Sequence, residues 1–356
     1  VSGADTPMPR VAVVIPAYRV KAHIADVIAG VPAFVRFIVV VDDACPDGSG
    51  DLVEGLEDPR VTLVRHEENR GVGGAMLTGY AVALELGAGV LAKMDGDDQM
   101  DPAELWRLVL PIVEGQADYA KGNRFKQLRT LGRMPFLRRL GNFGLTFMTK
   151  MASGYWDIFD PTNGYTAIHR RTLQLLDPER ISHDYFFESQ MLLELQRVRA
   201  VVCDVPMPAR YGSEESSLRV GRVLLTFPWR LGGGFVRRLS RQYFLHDFSP
   251  TSLLLLMGIP LLVFGIAWGT YHWVQSVHTG TTSTTGTVLL AVLPIILAVQ
   301  FLLQAVSMDM ASVPRQALHS GLPLTEIDES ERWQQLYEQF AGADRISPVV
   351  RTKDSS

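Results

Sequence analysis

Cysteine is nearly absent: Cys45 and Cys203 are the only two in 356 residues, and neither shows a metal-ligating or redox spacing. That excludes a disulfide-built scaffold and a cysteine-based zinc or iron–sulfur site, and it suits the cytosol. Acidic residues are missing where basic ones are dense. No Asp or Glu occurs from Tyr119 to Trp156, which holds Lys121, Arg124, Lys126, Arg129, Arg133, Arg138, Arg139 and Lys150. None occurs from Ser216 to His246, where Arg219, Arg222, Arg230, Arg237, Arg238 and Arg241 stand. The net charge of −4 conceals this asymmetry. Two acid-free blocks imply an anionic partner, and the apolar segment after the second favours a membrane lipid or lipid phosphate over nucleic acid. No long apolar run stands near the start. Val11 to Ile15 is too short for the core of a signal peptide, so none is expected.

Long apolar runs appear only late. Ser252 to Trp273 and Thr287 to Val306 are almost wholly apolar, and roughly 20 such residues cross a bilayer core as a helix. Pro260 and Pro294 are compatible with membrane helices. The link between them, Gln275 to Gly286, is short and carries no Lys or Arg, so the pair reads as an antiparallel hairpin. Arg237, Arg238 and Arg241 precede it and Arg315 follows. The positive-inside rule then puts both chain ends in the cytoplasm, and Trp268, Tyr271 and Trp273 mark the outer interface. The expected address is the inner (plasma) membrane, multi-pass. Before the hairpin, Leu218 to Leu245 alternates arginines with apolar residues and contains Pro228 and Gly232-Gly233-Gly234. It reads as two amphipathic helices lying on the membrane surface. The expected division is 1–215, a cytoplasmic catalytic domain; 216–250, a basic juxtamembrane segment; 251–308, two membrane helices; and 309–356, a cytoplasmic tail with one helix near Glu329 to Phe340.

The first part alternates apolar strands with helices: strands at Val11–Ile15, Phe37–Val41, Val61–Val64 and Val90–Met94, helices near Ala22–Ala29, Gly50–Leu56 and Gly73–Leu86. All-apolar strands in this order predict a mostly parallel sheet covered on both faces. Ligands of such sheets bind beyond the carboxyl ends of the strands. Three of those ends carry Pro16-Ala17-Tyr18, Asp42-Asp43 and Asp95-Gly96-Asp97, and topology brings them to one cleft. Asp95 and Asp97, two apart across a glycine, suit a single hard cation, Mg²⁺ or Mn²⁺. Such ions complete their shell with water and substrate phosphates. The site therefore reads as a place for a nucleotide diphosphate. Asp101-Pro102 also reads as a helix cap.

These segments resemble the inverting family 2 glycosyltransferases, above all the polyprenyl-phosphate glycosyltransferases and dolichol-phosphate mannose synthases. The matching stretches are Val14–Tyr18, Val41–Ser49, Asn69–Ala75, Met94–Gln99, Gly122–Phe125 and Asp160–Tyr165, in the family's order. The resemblance implies an α/β, Rossmann-like A-type glycosyltransferase fold with a mostly parallel sheet, amphipathic juxtamembrane helices and a two-helix transmembrane hairpin. It implies a donor pocket lined by Pro16, Ala17 and Tyr18, with Asp43 or Asp42 taking the base and Arg70 and Asp95 nearby. Asp95 and Asp97 hold the metal–diphosphate, and Gln99 stands where a side chain can complete the metal shell. Arg124 looks like the family's phosphate-binding arginine; a guanidinium forks onto phosphate oxygens better than an ammonium does. Asp160 stands where an acid faces the acceptor, Glu188 near the sugar, and Ser217, Arg219 and Arg222 near the acceptor phosphate.

The implied reaction moves one sugar from a UDP- or GDP-linked donor to an undecaprenyl or dolichyl phosphate, with no nucleic-acid partner. Two alternatives share the motifs: an anchored transferase acting on a protein or saccharide, and an inactive nucleotide-sugar-binding partner protein. The chain departs from the family pattern at Arg19-Val20, where many members have Asn-Glu. Gln196-Arg197-Val198-Arg199-Ala200 lacks the aromatic of processive synthases, which argues against polymer formation. Gly258, Gly265 and Gly269 offer close helix packing in the membrane, including between copies in a homo-oligomer.

Overall fold

In the computed structural model, residues 9–124, 136–208, 220–321, 331–341 and 346–348 are described. The elements are β1 (Val11–Ala17), α1 (Ile24–Gly30), β2 (Val35–Asp42), α2 (Ser49–Glu54), β3 (Val61–Arg65), α3 (Gly71–Glu85), β4 (Val90–Lys93), α4 (Leu105–Val113) and β5 (Tyr119–Asn123). They continue with α5 (Phe136–Ser153), β6 (Thr166–His169), α6 (Arg170–Leu175), α7 (Phe187–Arg197), β7 (Val202–Pro206), α8 (Val220–Ser240), α9 (Pro250–Thr279), α10 (Thr285–Ala311), α11 (Leu318–Gly321), α12 (Glu331–Ala341) and β8 (Ile346–Pro348).

The strands form one sheet in the order β7-β5-β6-β4-β1-β2-β3-β8. The β1–β2, β1–β4, β2–β3 and β5–β7 pairs are parallel, while β6 runs against both β4 and β5, and β8 against β3. Every expected strand is present. β1 and β4 are buried along almost their whole length, as two covered faces require. Pro16 lacks a donor, but the β1–β4 ladder already stops at Val14. Helix α3 lies close on β1 and β2 because Gly79 has no side chain: a Cβ there would overlap Val14 and sit 3.2 Å from Val41 Cγ2.

The chain divides into two compact units, one reaching Leu231 and resuming at Pro314, the other spanning Gly232–Val313. The first includes the tail, which returns to the sheet domain. Asp118, fully buried, accepts from the backbone N–H groups of Val201 (2.8 Å), Leu318 (2.9 Å) and His319 (3.1 Å), and pairs with His319 Nδ1 at 2.8 Å. These donors hold its carboxyl below the usual range against the opposing effect of burial. Trp333 is buried and donates its indole N–H to the Leu176 carbonyl at 3.1 Å, and Arg332 pairs with Asp177.

The second unit holds α9 and α10, both long and apolar enough to cross a membrane. Their outward residues, including Leu253, Ile259, Val263, Leu293, Ile296 and Leu303, are exposed apolar side chains. Gly258, Gly265 and Gly269 face α10; a Cβ at Gly265 would lie 2.9 Å from the Ala291 carbonyl. Those glycines let α9 and α10 pack closely within the chain. One expectation fails. The stretch after residue 220 is not two helices: α8 runs unbroken through Pro228 and the three glycines, followed by a wide π-type turn from Arg241 to His246. A helix-interior proline removes one hydrogen bond and each glycine costs about 1 kcal/mol, which this long helix absorbs. The second basic block is also partly neutralised. Arg230 pairs with Asp184 at 2.9 Å, and Arg238 forks onto Asp309 at 2.7 and 3.0 Å.

If residues 331–341 are part of the folded domain, Trp333→Ala should cost about 3–5 kcal/mol, the range for emptying an aromatic core position. Thermal or denaturant unfolding reads this directly, and an unchanged midpoint would reduce the tail to an appendage.

Candidate active site

Three loops meet at the carboxyl ends of β1, β2 and β4, and each contains a non-glycine residue with positive φ: Arg19 (59°), Ala44 (51°) and Asp98 (59°). Such conformations cost free energy and persist where surrounding contacts impose them. The loops are stitched together. The Arg19, Val20 and Lys21 N–H groups donate to Cys45 Sγ (2.8 Å), Ser49 Oγ (3.3 Å) and Asp47 Oδ2 (3.2 Å). Gly96, between the two acids of the β4 loop, packs against Val20 and Ile24. Pro16 and Ala17 end β1, and Tyr18 stands open beside them.

Asp42 and Asp43 are both buried. Asp42 accepts from Cys45 N–H at 2.9 Å and approaches Arg65 at 3.4 Å, and burial raises its pKa. Asp43 accepts from the N–H groups of Arg70 (2.8 Å) and Gly71 (2.9 Å) and meets His66 Nδ1 at 2.7 Å. Its carboxylate thus orders the start of α3 and the Arg70 backbone, while the Arg70 side chain is exposed. The glycines that open α3 receive a protein loop: Gly73 N–H donates to the His183 carbonyl at 2.9 Å, and a Cβ at Gly71 would come within 2.6 Å of that oxygen. The same loop carries Asp184, bound by Arg230, and leads into α7.

The β4 loop holds the acids expected to carry the chemistry. Asp95 and Asp97 are half-buried, and Asp97 Oδ1 accepts from Gln99 N–H at 3.1 Å, while the Gln99 side chain is exposed. Asp101 caps the following turn, accepting from Ala103 N–H at 3.0 Å. Asp95 Oδ1 is held by Lys93 Nζ at 2.7 Å, and the same ammonium reaches Glu188 Oε1 at 3.2 Å. Lys93 is 1% exposed, and its two acid partners raise its pKa against desolvation, which lowers it. Asp95 and Glu188 are therefore brought together. Beside Asp95, the chain passes at Gly164; a Cβ there would sit 2.9 Å from Asp95 Oδ2 and overlap Lys93 Nζ.

Next along the sheet, Asp160 is fully buried and takes a forked pair from Arg124: Nε to Oδ2 at 2.8 Å and Nη2 to Oδ1 at 3.2 Å. Between the two centres Lys121, also buried, donates to the Asn163 carbonyl. Burial pushes its pKa down to about 8, and the fields of Glu188 and Asp160 oppose that. Ser217 and Arg219 lie outside the described residues, and Arg222 lies in α8.

Lys93, Lys121 and Asn163 are site residues to which the sequence reading gives no role. The available signal was a lysine inside a strand that is otherwise apolar, as in Val90-Leu91-Ala92-Lys93. A charged residue there needs a partner. Lys93→Met should leave Asp95 and Glu188 uncompensated and cost on the order of 3 kcal/mol, the low end for breaking a buried ion pair because Asp95 stays partly open. Urea unfolding checks it, and a variant as stable as the parent would show the pair to be energetically idle.

Residues 12–176 match the glycosyl transferase family 2 profile. The chain is similar to the UDP-N-acetylglucosamine–dolichyl-phosphate N-acetylglucosaminyltransferase of Methanococcus voltae, 28% identical over 60% of this chain and 90% of that protein. It is similar to the polyprenol monophosphomannose synthase of Mycolicibacterium smegmatis, 31% identical over 56% and 77%. The undecaprenyl-phosphate mannosyltransferase of Micrococcus luteus is 31% identical over 48% and 70%. With that likeness, the mostly parallel sheet and its loops are the A-type glycosyltransferase fold, and the chain belongs to glycosyl transferase family 2.

Proposed function

We propose that this glycosyltransferase moves one sugar from a nucleotide sugar to a polyprenyl phosphate, with inversion, at a membrane that α9 and α10 cross. The observation that carries the reading is the attachment of two helices with exposed apolar flanks to a family 2 domain. An acceptor with a polyprenyl tail stays in the bilayer, so the transferase must be held there. The three relatives named for polyprenyl or dolichyl acceptors support the same class. Chain returning to the first unit on both sides of the hairpin supports a multi-pass arrangement with both ends in the cytoplasm and the division into catalytic domain, juxtamembrane segment, hairpin and tail. The membrane would be the inner (plasma) membrane.

In this reading Pro16, Ala17, Tyr18, Asp42, Asp43, Arg70 and Asp95 form the donor pocket, Asp43 by ordering the Arg70–Gly71 backbone. Two of the fixed cations at the centre are already engaged by acids: Lys93 by Asp95 and Glu188, Arg124 by Asp160. An incoming diphosphate is then best met by a cation brought with it. The residues fit one. The Asp95 side chain is 32% exposed, and Asp97 stands two residues on; no cluster of three or more His, Cys, Asp or Glu suited to a metal occurs among the described residues, so substrate and water would have to complete the shell. Two carboxylates, with Gln99, water and substrate phosphate, make a typical Mg²⁺ or Mn²⁺ shell. When bound, that ion would stabilise the departing nucleoside diphosphate.

Lys93 fixes Asp95 and Glu188 on either side of the sugar site. The acceptor phosphate, with a second pKa of roughly 6, is mostly dianionic at pH 7 and needs little help from a base. Asp160 is spent on Arg124 through both oxygens, which suits orientation better than proton removal. Arg124 then presents its remaining edge to the acceptor, with Ser217, Arg219 and Arg222 assigned to the same phosphate. The new bond joins the anomeric carbon to a phosphate oxygen, as its bond to the diphosphate oxygen breaks on the opposite face.

The full chain in lipid nanodiscs, given undecaprenyl or dolichyl phosphate and a panel of UDP- and GDP-sugars with Mn²⁺, should form a polyprenyl-phosphate sugar. Transfer to soluble saccharides or protein, and none to the lipid, would overturn the acceptor class. Asp97→Ala should abolish transfer, and near-parental turnover would remove the metal assignment. Asp160→Asn should slow the reaction roughly 10²-fold, the scale of a lost acid–base or orienting contact, and less than Asp97→Ala does. A larger loss at Asp160 would restore it as general base.

A further inference from the structure

Strand β7 carries an acid that the mechanism above leaves idle. Asp204 Oδ2 accepts two hydrogen bonds, from Asn123 Nδ2 at 2.8 Å and from the backbone N–H of Phe159 at 2.7 Å. Each donor is the chain neighbour of a site residue: Asn123 precedes Arg124, and Phe159 precedes Asp160. One oxygen thus ties the end of β5 to the loop that enters β6, directly behind the Arg124–Asp160 fork. Asp204 faces Lys121 in the β5–β7 register, so the tie sits under the site rather than at the far end of the sheet. Its other oxygen, Oδ1, is buried with no hydrogen-bond partner among the described residues. Burial raises this carboxyl above its usual range, with Asp160 adding to the rise and Lys121 and the two donors opposing it. A half-buried acid with one oxygen shut off from water and unpaired is costly to keep for packing alone.

The fork has narrow tolerance. Two parallel N–H···O bonds require the guanidinium and carboxylate planes to coincide. The two segments are also joined farther along, by Asn163 Nδ2 to the Gly122 carbonyl at 2.7 Å and Gly122 N–H to the Tyr165 carbonyl at 2.9 Å, whereas Asp204 and the Arg124 N–H to Asp160 contact at 3.3 Å act at the pair or at its immediate chain neighbours. We infer that Asp204 is a positioning residue for the transfer reaction: its Oδ2 sets the separation of Arg124 and Asp160 and so the place of the acceptor phosphate. The inference rests on the reading of that pair as facing the acceptor. It concerns a residue that touches neither substrate, and it acts through geometry rather than charge, so an amide at the same place should largely serve.

The test is a cycle on the full chain in nanodiscs with polyprenyl phosphate and donor, following kcat and the acceptor KM, with nucleotide binding and the melting midpoint measured alongside. Asp204→Ala should lower kcat/KM for the acceptor about 10²-fold, as misplacement by an ångström does, and leave nucleotide affinity unchanged. Asp204→Asn keeps an oxygen for both donors and should recover to within about 5-fold of the parent. Because Asp204 acts through the pair, Asp204→Ala with Asp160→Asn should be no slower than Asp160→Asn alone, within about 2-fold. Losses that multiply, a parental rate in Asp204→Ala, or Asp204→Asn as slow as Asp204→Ala at equal stability would each overturn the inference. If Asp204→Ala does not fold, Asn123→Ala removes one of the two ties; a loss of about 10-fold supports the role and a parental rate refutes it. A parental rate in Asp160→Asn would instead bring down the acceptor reading of the pair, whatever Asp204 does.

Discussion

A single buried ammonium determines how this site is put together. Lys93 ends a central strand, and its charge is shared by Asp95, two residues on, and Glu188, 95 residues on. An unpaired ammonium would be costly at that depth, so the fold must deliver both carboxylates to it. That requirement fixes the start of α7 over the end of β4. It also excludes any side chain at Gly164, where a Cβ would overlap the ammonium. The consequence for function is electrostatic. Lys93 is committed to two acids, and Arg124 to a third, Asp160. In the proposed reaction, substrate charge is met by a mobile cation, for which the loop beyond Lys93 offers Asp95 and Asp97, both half-buried.

Much of the sheet was legible because its strands are buried on both faces and therefore read as unbroken apolar runs; β1 to β4 all lie where those runs lie. Asp95-Gly96-Asp97 was legible for the opposite reason, since clustered acids after such a run break the pattern. Other parts were hidden by the same rules. Lys93 and Lys121 sit inside strands, where a lone basic residue looks like an edge or a surface position, and only the remote partners Glu188 and Asn163 reveal otherwise. Asp43 was readable as a loop acid but not as the group that holds His66, Arg70 and Gly71, because those contacts span 23 to 28 residues. The glycines opening α3 have the composition of a phosphate cradle. The structure fills that place with the His183 carbonyl, which no local pattern announces.

Long-range pairing also explains why charge patterning overstated the freedom of the second basic block. Acid-free stretches suggested arginines waiting for anions. Arg230 and Arg238 instead find Asp184 and Asp309, 46 and 71 residues away. Arg230 lies over the Phe186 ring at 4.9 Å, and Phe227 meets the same ring edge-on at 5.0 Å. The first part of α8 is therefore fastened to the segment that begins α7, and that segment also caps α3. The glycines that open α3, the Glu188 helix α7 and the Phe227–Arg230 part of α8 share one short stretch of chain, residues 182–188.

The tail is fastened just as firmly, and this changes what the hairpin can be. Asp118 collects donors from Val201 and from Leu318 and His319, the last two lying beyond the second apolar helix. Arg171 adds a bond to the His319 carbonyl at 3.2 Å, and the His169 and His319 rings stack at 4.1 Å. A chain that leaves a folded unit, runs through two membrane-length helices and re-enters the same unit cannot cross a bilayer an odd number of times. Under the proposed membrane reading, an even number of crossings follows from Asp118 and Trp333 as much as from the arginines near the helix ends. It does not depend on counting charges near the helix ends, one of which, Arg238, is already neutralised by Asp309.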